Sequence, residues 1–255
     1  MGVLRAALER GVQLALAALL FILPVNSGAS TAGGPAPAGS DTVVLLHGLA
    51  RSARSMRPLE RALAAAGYRV CNIDYPSTQH AIEDLSERHV LPALAACAGD
   101  QPVHFVTHSM GGIIVRYLAS LDAAPAIGRV VMLGPPNAGS EVVDKIGSWR
   151  AFDWVNGPAG RQLGTGAGSL PKQLGPAQFT VGIIAGRRSI NWINSTMIPG
   201  ADDGKVSVAS ARLAGMSDFR VLPVTHPMMM RNRQVIAEVV YFLREGKFQV
   251  SATVR

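Results

Sequence analysis

Residues 103–120, VHFVTHSMGGIIVRYLAS, constrain the fold more than any other stretch of this chain. Mostly apolar residues suited to a strand run directly into Thr-His-Ser-Met-Gly-Gly, and apolar residues then return at helical spacing. A buried strand that turns sharply into a buried helix needs small residues at the turn, because side chains there would collide with neighbouring backbone. The stretch therefore predicts a strand, a tight turn at Ser109 and a helix that begins at Met110.

The same alternation of strand and helix continues along the chain. Short apolar runs predict strands at 42–46, 68–74, 103–107, 129–133, 179–185 and 219–224. Helical spacing predicts helices at 55–66, 82–96, 110–121 and 232–244, with a kink at Pro92. Strands that alternate with helices imply right-handed crossovers, so we predict an α/β fold with a mostly parallel sheet that is buried on both faces.

Composition favours one domain without a nucleic-acid partner. The 255 residues are 48% hydrophobic and 16% charged, enough for one α/β core. The formal charge is +7, but the Lys and Arg residues are scattered and form no basic stripe. We interpret them as a solvated cationic surface, compatible with contact with the surface of an anionic membrane.

The N-terminus has the layout of a secretory signal peptide. Arg5 and Arg10 precede an apolar run at 12–23, and Pro24 and small residues follow. We predict a signal peptide at 1–29 and export to the periplasm or the medium, with an uncleaved membrane anchor as the alternative. The Gly/Pro/Ser/Ala segment 30–41 is predicted to be a flexible linker.

Two cysteines leave a second question open. An exported protein meets an oxidising compartment, where Cys71 and Cys97 are able to form one disulfide. The alternative is that both are small buried apolar residues. Their spacing in the sequence does not decide between these readings.

The strand and helix rhythm is interrupted between Pro135 and Gln178. This stretch predicts an insertion over the sheet, which would serve as a lid or pocket wall at the carboxyl ends of the strands, or would form a small satellite core. Its aromatic residues, together with an apolar stretch near residue 192, are candidates for an acyl pocket without obvious charge. These candidate substrate-binding residues are Trp149, Phe152, Trp154 and Trp192, with Ile190 and Ile193 beside the last.

Ser109 is the candidate nucleophile. The free N–H groups at the start of the following helix would face an anion that forms on a substrate. The usual nucleophile turn is G-x-S-x-G, and here Thr107 stands at the first glycine. The alternative is a helix that simply begins near a capping serine.

A serine nucleophile needs a base and oxyanion donors. Among the six histidines, His226 is the candidate base, because it follows the last predicted strand at the carboxyl edge of the sheet. His47-Gly48 follows the first strand, and we expect His47 to shape that loop. The backbone N–H groups of Leu49 and Met110 are the predicted oxyanion donors.

The orienting acid should lie between the serine and the histidine. The turn-rich loop 199–206 offers Asp202 and Asp203, and we prefer Asp203. Asp202 is expected to cap the turn, support its neighbour or help bind a cation. Two adjacent carboxylates are too few ligands for a calcium site, so no metal is predicted.

Several of these residues together resemble the α/β-hydrolase superfamily, within it the bacterial lipase and carboxylesterase branch. The residues that carry the resemblance are His47-Gly48, Thr107-His108-Ser109-Met110-Gly111-Gly112, Pro135-Pro136-Asn137-Ala138-Gly139-Ser140, Asp203-Gly204-Lys205-Val206-Ser207 and His226. The resemblance implies a hydrolase domain over 42–255 with a lid-like insertion at about 137–178. It also implies a minimal sheet of about six strands, and the Asp-Gly-hydrophobic loop favours Asp203 as the acid.

These features predict an exported serine hydrolase that cleaves carboxylic esters, most naturally lipid or acylglycerol esters, through an acyl-enzyme and without a cofactor. An acyltransferase would use the same triad and differ in excluding water. A binding protein of the same fold, without chemistry, is the alternative from another class.

Overall fold

One parallel sheet organises the residues that the computed structural model describes, which are 41–98, 101–147, 150–190 and 195–250. Six strands within these ranges pair in the order β2-β1-β3-β4-β5-β6, and every pair is parallel. The strands are β1 Thr42–Leu46, β2 Arg69–Ile73, β3 Val103–His108, β4 Ile127–Leu133, β5 Val181–Gly186 and β6 Asp218–Leu222. The predicted α/β class and the six-stranded parallel sheet are confirmed.

Helices connect the strands and cover both faces of the sheet. They are α1 Arg57–Ala65, preceded by a 3₁₀ turn Ala53–Met56; α2, built from Ile82–Asp84, Leu85–Val90 and Leu91–Cys97; α3 Met110–Leu118; α4 Glu141–Ile146; α5 Arg150–Arg161; α6 Leu170–Gln173; and α7 Arg233–Glu245, preceded by a 3₁₀ turn His226–Arg231. Alternate residues of a strand point to opposite faces. Accordingly, Val43 and Leu45 join the core beneath α1 and α7, whereas Val44 and Leu46 join the core beneath α2 and α3.

The strand order reverses between β1 and β3. After β1 the chain moves outward to β2, and it then returns to the other side of β1 as β3, where Leu46 pairs with Thr107. In open α/β sheets such a reversal leaves a crevice at the carboxyl ends of the two strands, where ligands bind. The loop after Leu46 and the turn at Ser109 therefore lie side by side.

The irregularity in α2 lies before Pro92. The helix widens into a π-helix over Leu85–Val90 and returns to α geometry over Leu91–Cys97. Proline lacks an N–H and its ring crowds the carbonyl four residues earlier, so the preceding turn must open. The helix is therefore irregular in the turn before Pro92, where a proline is expected to disturb it.

Cys71 of β2 and Cys97 at the end of α2 form a disulfide, with 6.2 Å between their Cα atoms. The disulfide links the middle of β2 to the end of α2, the helix that follows it. Of the two alternatives left open by the sequence, the structure has the disulfide.

The insertion between β4 and β5 contains α4, α5 and α6. Arg116 of α3 anchors it through hydrogen bonds. The buried guanidinium donates to the carbonyls of Asn137, Pro171 and Gly175, at 3.1, 2.7 and 2.8 Å. Burial lowers the pKa of Arg116 to about 10. One buried cation thus joins both ends of the insertion to the helix that follows Ser109.

The predicted signal peptide at 1–29 and almost all of the predicted linker at 30–41 lie outside the described residues. Within the described ranges, no helix has the length and apolarity that crossing a membrane requires.

Candidate active site

Ser109 occupies a strained backbone position between β3 and α3. Its φ is 53° and its ψ is −121°, a conformation that residues other than glycine rarely adopt. Its N–H donates to the carbonyl of Leu133 at 2.8 Å, and its carbonyl accepts from the N–H of Gly112 at 3.0 Å. The neighbouring strand and the first turn of α3 therefore hold this residue in the sharp strand-to-helix turn predicted from the sequence.

Close backbone approach explains two of the glycines around Ser109. A Cβ on Gly111 would lie 2.6 Å from the carbonyl oxygen of Leu46 and 2.9 Å from that of His47. A Cβ on Gly48 would lie 2.8 Å from Nδ1 of His108 and 3.1 Å from Cβ of Ser109. These distances are shorter than real Cβ contacts, so side chains at either position would push apart the loop after β1 and the turn.

Thr107 stands where the usual turn has a glycine, and α3 accommodates it. The Thr107 side chain is fully buried, and a Cβ on Gly112 would lie 3.4 Å from its Oγ1. The absence of a side chain at Gly112 therefore leaves room beside Thr107. Thr107 Oγ1 has no hydrogen-bond partner among the described residues.

His226 and Asp203 form a buried hydrogen-bonded pair. His226 begins the 3₁₀ turn after β6, and its Nδ1 lies 2.8 Å from Oδ2 of Asp203. The N–H of His226 also donates to the carbonyl of Asp203 at 2.9 Å. The exposed fractions are 4% for His226 and 1% for Asp203. Two independent bonds therefore fix the imidazole against the carboxylate.

Backbone groups hold the other carboxylate oxygen. Asp203 Oδ1 accepts from the N–H groups of Lys205 at 3.0 Å and Val206 at 2.9 Å. Behind the pair, a Cβ on Gly134 would lie 2.9 Å from Asp203 Oδ2 and 3.1 Å from His226 Nδ1. Gly134 has a φ of +55°, so both the space and the conformation favour glycine there.

Asp202 faces another way. Its Oδ1 accepts from Ser195 Oγ at 2.8 Å and from the N–H of Gly204 at 2.7 Å. This is the turn-capping arrangement expected from the sequence, and it leaves Asp203 as the carboxylate in contact with the histidine.

The predicted oxyanion donors lie on the two elements that meet at Ser109. Leu49 lines the cavity described below, and the adjacent Ala50 has a φ of 52°, a second strained position. Met110 is the first residue of α3. Among the described residues, neither N–H has a hydrogen-bond acceptor. Both remain available to a developing anion.

His47 is built into the loop, as expected from the sequence. Its ring stacks on Tyr75 with 4.0 Å between centroids, and its Nδ1 lies 2.9 Å from the carbonyl of Gly48. The Tyr75 hydroxyl donates back to the carbonyl of His47. Burial lowers the pKa of His47. The residue therefore shapes the backbone that presents Leu49.

His108 lies beside the His226–Asp203 pair, and its role was not predicted from the sequence. Its Nε2 lies 3.1 Å from the carbonyl oxygen of His226, and the two rings are 4.7 Å apart. Because a carbonyl only accepts, Nε2 carries the proton. Burial first, and then the neighbouring His226, lower the pKa of His108 well below its usual value. Neutral His108 supports the backbone of His226, and the signal for this was its position beside Ser109.

Ser109 and His226 line the same cavity, of about 240 Å³. Among the predicted substrate residues, Phe152 lies in its wall. Trp154 does not, since it is 90% exposed. Residues two apart on a helix differ by about 200° in direction, so Phe152 and Trp154 of α5 face opposite sides.

The remaining wall was not predicted. Trp149 and Trp192 lie outside the described residues, and Ile190 is 74% exposed. The apolar wall instead comes from α4 and its surroundings, through Val142, Val143, Ile146, Leu163 and Val206. The first four lie in the predicted insertion and Val206 lies in the predicted acid loop, but the sequence did not indicate which of their side chains would face Ser109.

The described residues contain no group of three or more His, Cys, Asp or Glu side chains arranged to hold a metal ion. The cavity wall includes the side chains of Ser109 and His226, and Asp203 contacts the imidazole.

Comparisons with known proteins agree with this architecture. Residues 41–174, just over half of the chain, match the family profile described as alpha/beta hydrolase fold. The lipase BlEst2 of Bacillus licheniformis in its mature form has a similar structure, with a TM-score of 0.66, 21% identity, and coverage of 83% of this chain and 94% of that one. No curated protein matches the chain.

Two other solved structures share the fold over part of their length. Lipase B of Aspergillus fumigatus has a TM-score of 0.60 and 18% identity, with coverage of 84% of this chain and 55% of that one. Phospholipase PlaB of Legionella pneumophila has a TM-score of 0.59 and 16% identity, with coverage of 82% and 60%. At these identities the likeness shows the fold.

Proposed function

The chain belongs to the alpha/beta hydrolase fold family, and from this premise we propose that it hydrolyses carboxylic esters with Ser109 as nucleophile, His226 as base and Asp203 as orienting acid. One observation carries the proposal. His226, whose Nδ1 lies 2.8 Å from Asp203 Oδ2, lines one cavity with a serine held at a φ of 53° in a strand-to-helix turn. A strained serine beside a carboxylate-supported imidazole is the arrangement that acyl transfer needs.

In the first half of the reaction, Ser109 Oγ attacks the ester carbonyl carbon while His226 Nε2 takes the hydroxyl proton. The carbonyl oxygen becomes an oxyanion, for which the N–H groups of Leu49 and Met110 are the unpaired donors. The C–O bond to the alcohol then breaks, and His226 gives its proton to the departing alkoxide. The products are the free alcohol and an acyl ester on Ser109.

In the second half, water replaces the alcohol. His226 removes a proton from the water as its oxygen attacks the acyl-enzyme, and the same donors stabilise the second oxyanion. The bond to Ser109 breaks, Oγ regains its proton from His226, and a carboxylic acid leaves. Asp203 keeps the proton of the neutral imidazole on Nδ1 throughout, so that Nε2 faces the serine as a base.

The apolar part of the cavity favours lipid or acylglycerol esters as substrates. Val142, Ile146 and Phe152 offer an acyl chain an apolar surface close to Ser109. The names of two similar structures, a lipase and a phospholipase, are in keeping with this class. Exposed Trp154 and Ile190 would suit contact with the surface of a lipid aggregate.

We further propose that the protein acts after export to the periplasm or the medium. The charged and then apolar N-terminal segment has the form of a signal peptide. The Cys71–Cys97 disulfide supports an oxidising compartment.

The test is hydrolysis of 4-nitrophenyl butyrate by the purified protein and its Ser109→Ala variant. The variant should lose activity by about 10⁴-fold or more while its melting temperature stays unchanged. Ser120→Ala, which changes an exposed serine at the end of α3, is the matched control and should keep full activity. Activity in Ser109→Ala within tenfold of wild type would refute the assignment.

Covalent labelling identifies the serine directly. Ser140 also lines the cavity, but its Oγ donates to the carbonyl of Lys205 at 3.0 Å. A fluorophosphonate probe should therefore modify the peptide that contains Ser109 and leave Ser140 unmodified. Label on Ser140, or on neither serine, contradicts the mechanism. Adding an alcohol acceptor and measuring the new ester separates a hydrolase from an acyltransferase.

A further inference from the structure

Two cationic side chains lie in the wall of the cavity that holds Ser109 and His226. They are Arg51 and Lys205, and the described residues that line the cavity include no aspartate or glutamate. The sequence predicted an acyl pocket without obvious charge. The cavity instead combines an apolar side with two positive charges close to the candidate nucleophile.

Both cations belong to loops that build the site. Arg51 follows Leu49, a predicted oxyanion donor, by two residues, and Lys205 follows Asp203 by two residues. The backbone of Lys205 is fixed at both polar groups, since its N–H donates to Asp203 Oδ1 and its carbonyl accepts from Ser140 Oγ. The point of the backbone from which the Lys205 side chain extends is therefore set by the same hydrogen bonds that hold the acid.

Neither cation forms a salt bridge within the described part of the chain. The nearest candidate partner, the Asp203 carboxylate, is already used by His226 and by two N–H groups. Arg51 and Lys205 both reach solvent. Desolvation beside the cavity wall first, and then the positive charge of Arg51, lower the pKa of Lys205, while Asp203 opposes them. The free cavity thus holds two positive charges that repel one another, and an anion bound between them would relieve that repulsion.

We propose that this cavity selects acyl esters of phosphorylated alcohols, with the acyl chain on the apolar wall and the phosphate between Arg51 and Lys205. The inference rests on the proposed ester hydrolysis and names its substrate class. Guanidinium and ammonium groups are the usual protein partners of phosphate. Val142, Ile146 and Phe152 supply the apolar surface for the acyl chain. A phospholipid and a short soluble phosphate ester share this chemistry.

The experiment compares two soluble esters with the same acyl group and the same kind of leaving alcohol, 1-butyrylglycerol 3-phosphate and 1-butyrylglycerol. Butyrate release is followed by titration at pH 8, where the phosphate carries about two negative charges because its second pKa is about 6. For the wild-type protein, kcat/KM should be about tenfold or more higher for the phosphate ester at low salt. The preference should shrink at high salt, because exposed charges are screened.

The Arg51→Gln/Lys205→Gln double variant should bring this ratio of kcat/KM values to about 1. The Arg57→Gln/Arg61→Gln double variant is the matched control, because both residues are exposed on α1 and the variant loses the same two positive charges outside the cavity wall. It should keep the wild-type ratio. A wild-type protein that hydrolyses 1-butyrylglycerol as fast as the phosphate ester, or a double variant that keeps the preference, would overturn the proposal.

A binding measurement separates this inference from the proposed function. If neither ester is hydrolysed, the proposed function fails, but butyl phosphate binding remains measurable by calorimetry. In the Ser109→Ala background, the Arg51→Gln/Lys205→Gln change should weaken butyl phosphate binding by about tenfold or more. Equal binding with and without the two cations overturns the inference even if esters are hydrolysed.

Acyl chain length distinguishes the two sources of the phosphate ester. Monomeric 1-butyryl and 1-dodecanoyl glycerol 3-phosphates are compared below the concentration at which the longer ester aggregates. Higher kcat/KM for the dodecanoyl ester supports a phospholipid-type substrate, and higher kcat/KM for the butyryl ester supports a soluble one. Loss of the phosphate preference at both chain lengths contradicts the assignment.

Discussion

Replacement of Asp203 by asparagine should inactivate the enzyme by reversing one hydrogen bond. In the native site, Asp203 Oδ2 lies 2.8 Å from His226 Nδ1, while Oδ1 accepts from the N–H groups of Lys205 and Val206. The asparagine carbonyl has to stay at the Oδ1 position. Turning the amide round would leave two buried N–H groups without acceptors, at a cost of about 1–3 kcal/mol each.

The asparagine NH₂ group then faces His226 and donates to Nδ1. The imidazole proton is therefore forced onto Nε2, the atom that must accept the proton of Ser109. Wrong-tautomer triads lose about 10⁴-fold in kcat. This corresponds to about 5.4 kcal/mol of transition-state stabilisation, at about 1.36 kcal/mol for each tenfold change. Because the substitution preserves shape, the fold should be kept.

The assay is kcat/KM for 4-nitrophenyl butyrate at pH 8, with the melting temperature as the check on folding. Asp202→Asn is the matched control, since it changes the adjacent carboxylate, which accepts from Ser195 and Gly204 and does not contact the histidine. The kcat/KM of Asp202→Asn should fall by less than about tenfold, which corresponds to less than about 1.4 kcal/mol of transition-state stabilisation. The reasoning is refuted if Asp203→Asn keeps more than about a tenth of the wild-type kcat/KM, or if Asp202→Asn loses as much activity.

Three further predictions concern stability. Arg116→Met leaves three carbonyls, two of them buried, without their donor and should lower the free energy of unfolding in urea by about 2–4 kcal/mol, whereas Arg61→Met should change it little. A loss below about 0.5 kcal/mol would contradict the anchoring role. Reduction of the Cys71–Cys97 disulfide, which joins residues 26 apart in the sequence, should lower the free energy of unfolding by about 3.5 kcal/mol on the chain-entropy model. Reductant should leave the melting temperature of the Cys71→Ala/Cys97→Ala variant unchanged, because that variant has no disulfide to reduce. The pKa of His108 is lowered in the folded protein. As the pH falls below about 6.5, this histidine therefore binds a proton in the unfolded chain before it does so in the folded chain. The free energy of unfolding should therefore decrease towards acid by up to about 1.4 kcal/mol per pH unit from this residue, and more shallowly in His108→Asn; identical slopes would exclude this contribution.

The sheet was predictable from the sequence because a strand buried on both faces needs a continuous apolar run. The predicted strand 42–46 coincides with β1, and the predicted strand 103–107 is one residue shorter than β3. The sequence also indicated a distortion in α2, because Pro92 disturbs the turn before it, and the π-helix occupies that turn.

The candidate site was partly predictable, because the order Ser, Asp, His along the chain is a property of the fold. In the structure, His226 contacts Asp203, and His226 and Ser109 line the same cavity. The direction of Trp154 was not predictable in the same way. The side of α5 that faces the cavity depends on how the insertion packs, and a cluster of aromatic residues in the sequence does not indicate that side.

The sequence by itself determined the alternation of strand and helix and the sharp turn at Ser109, since both depend on residues that are neighbours along the chain. Only the tertiary structure decided what surrounds that serine: the pairing of Asp203 with His226, the apolar wall from the insertion, and the two cations Arg51 and Lys205. These groups come from separate loops that meet at the carboxyl edge of the sheet. Their distances are set by long-range packing, which no local pattern of residues encodes.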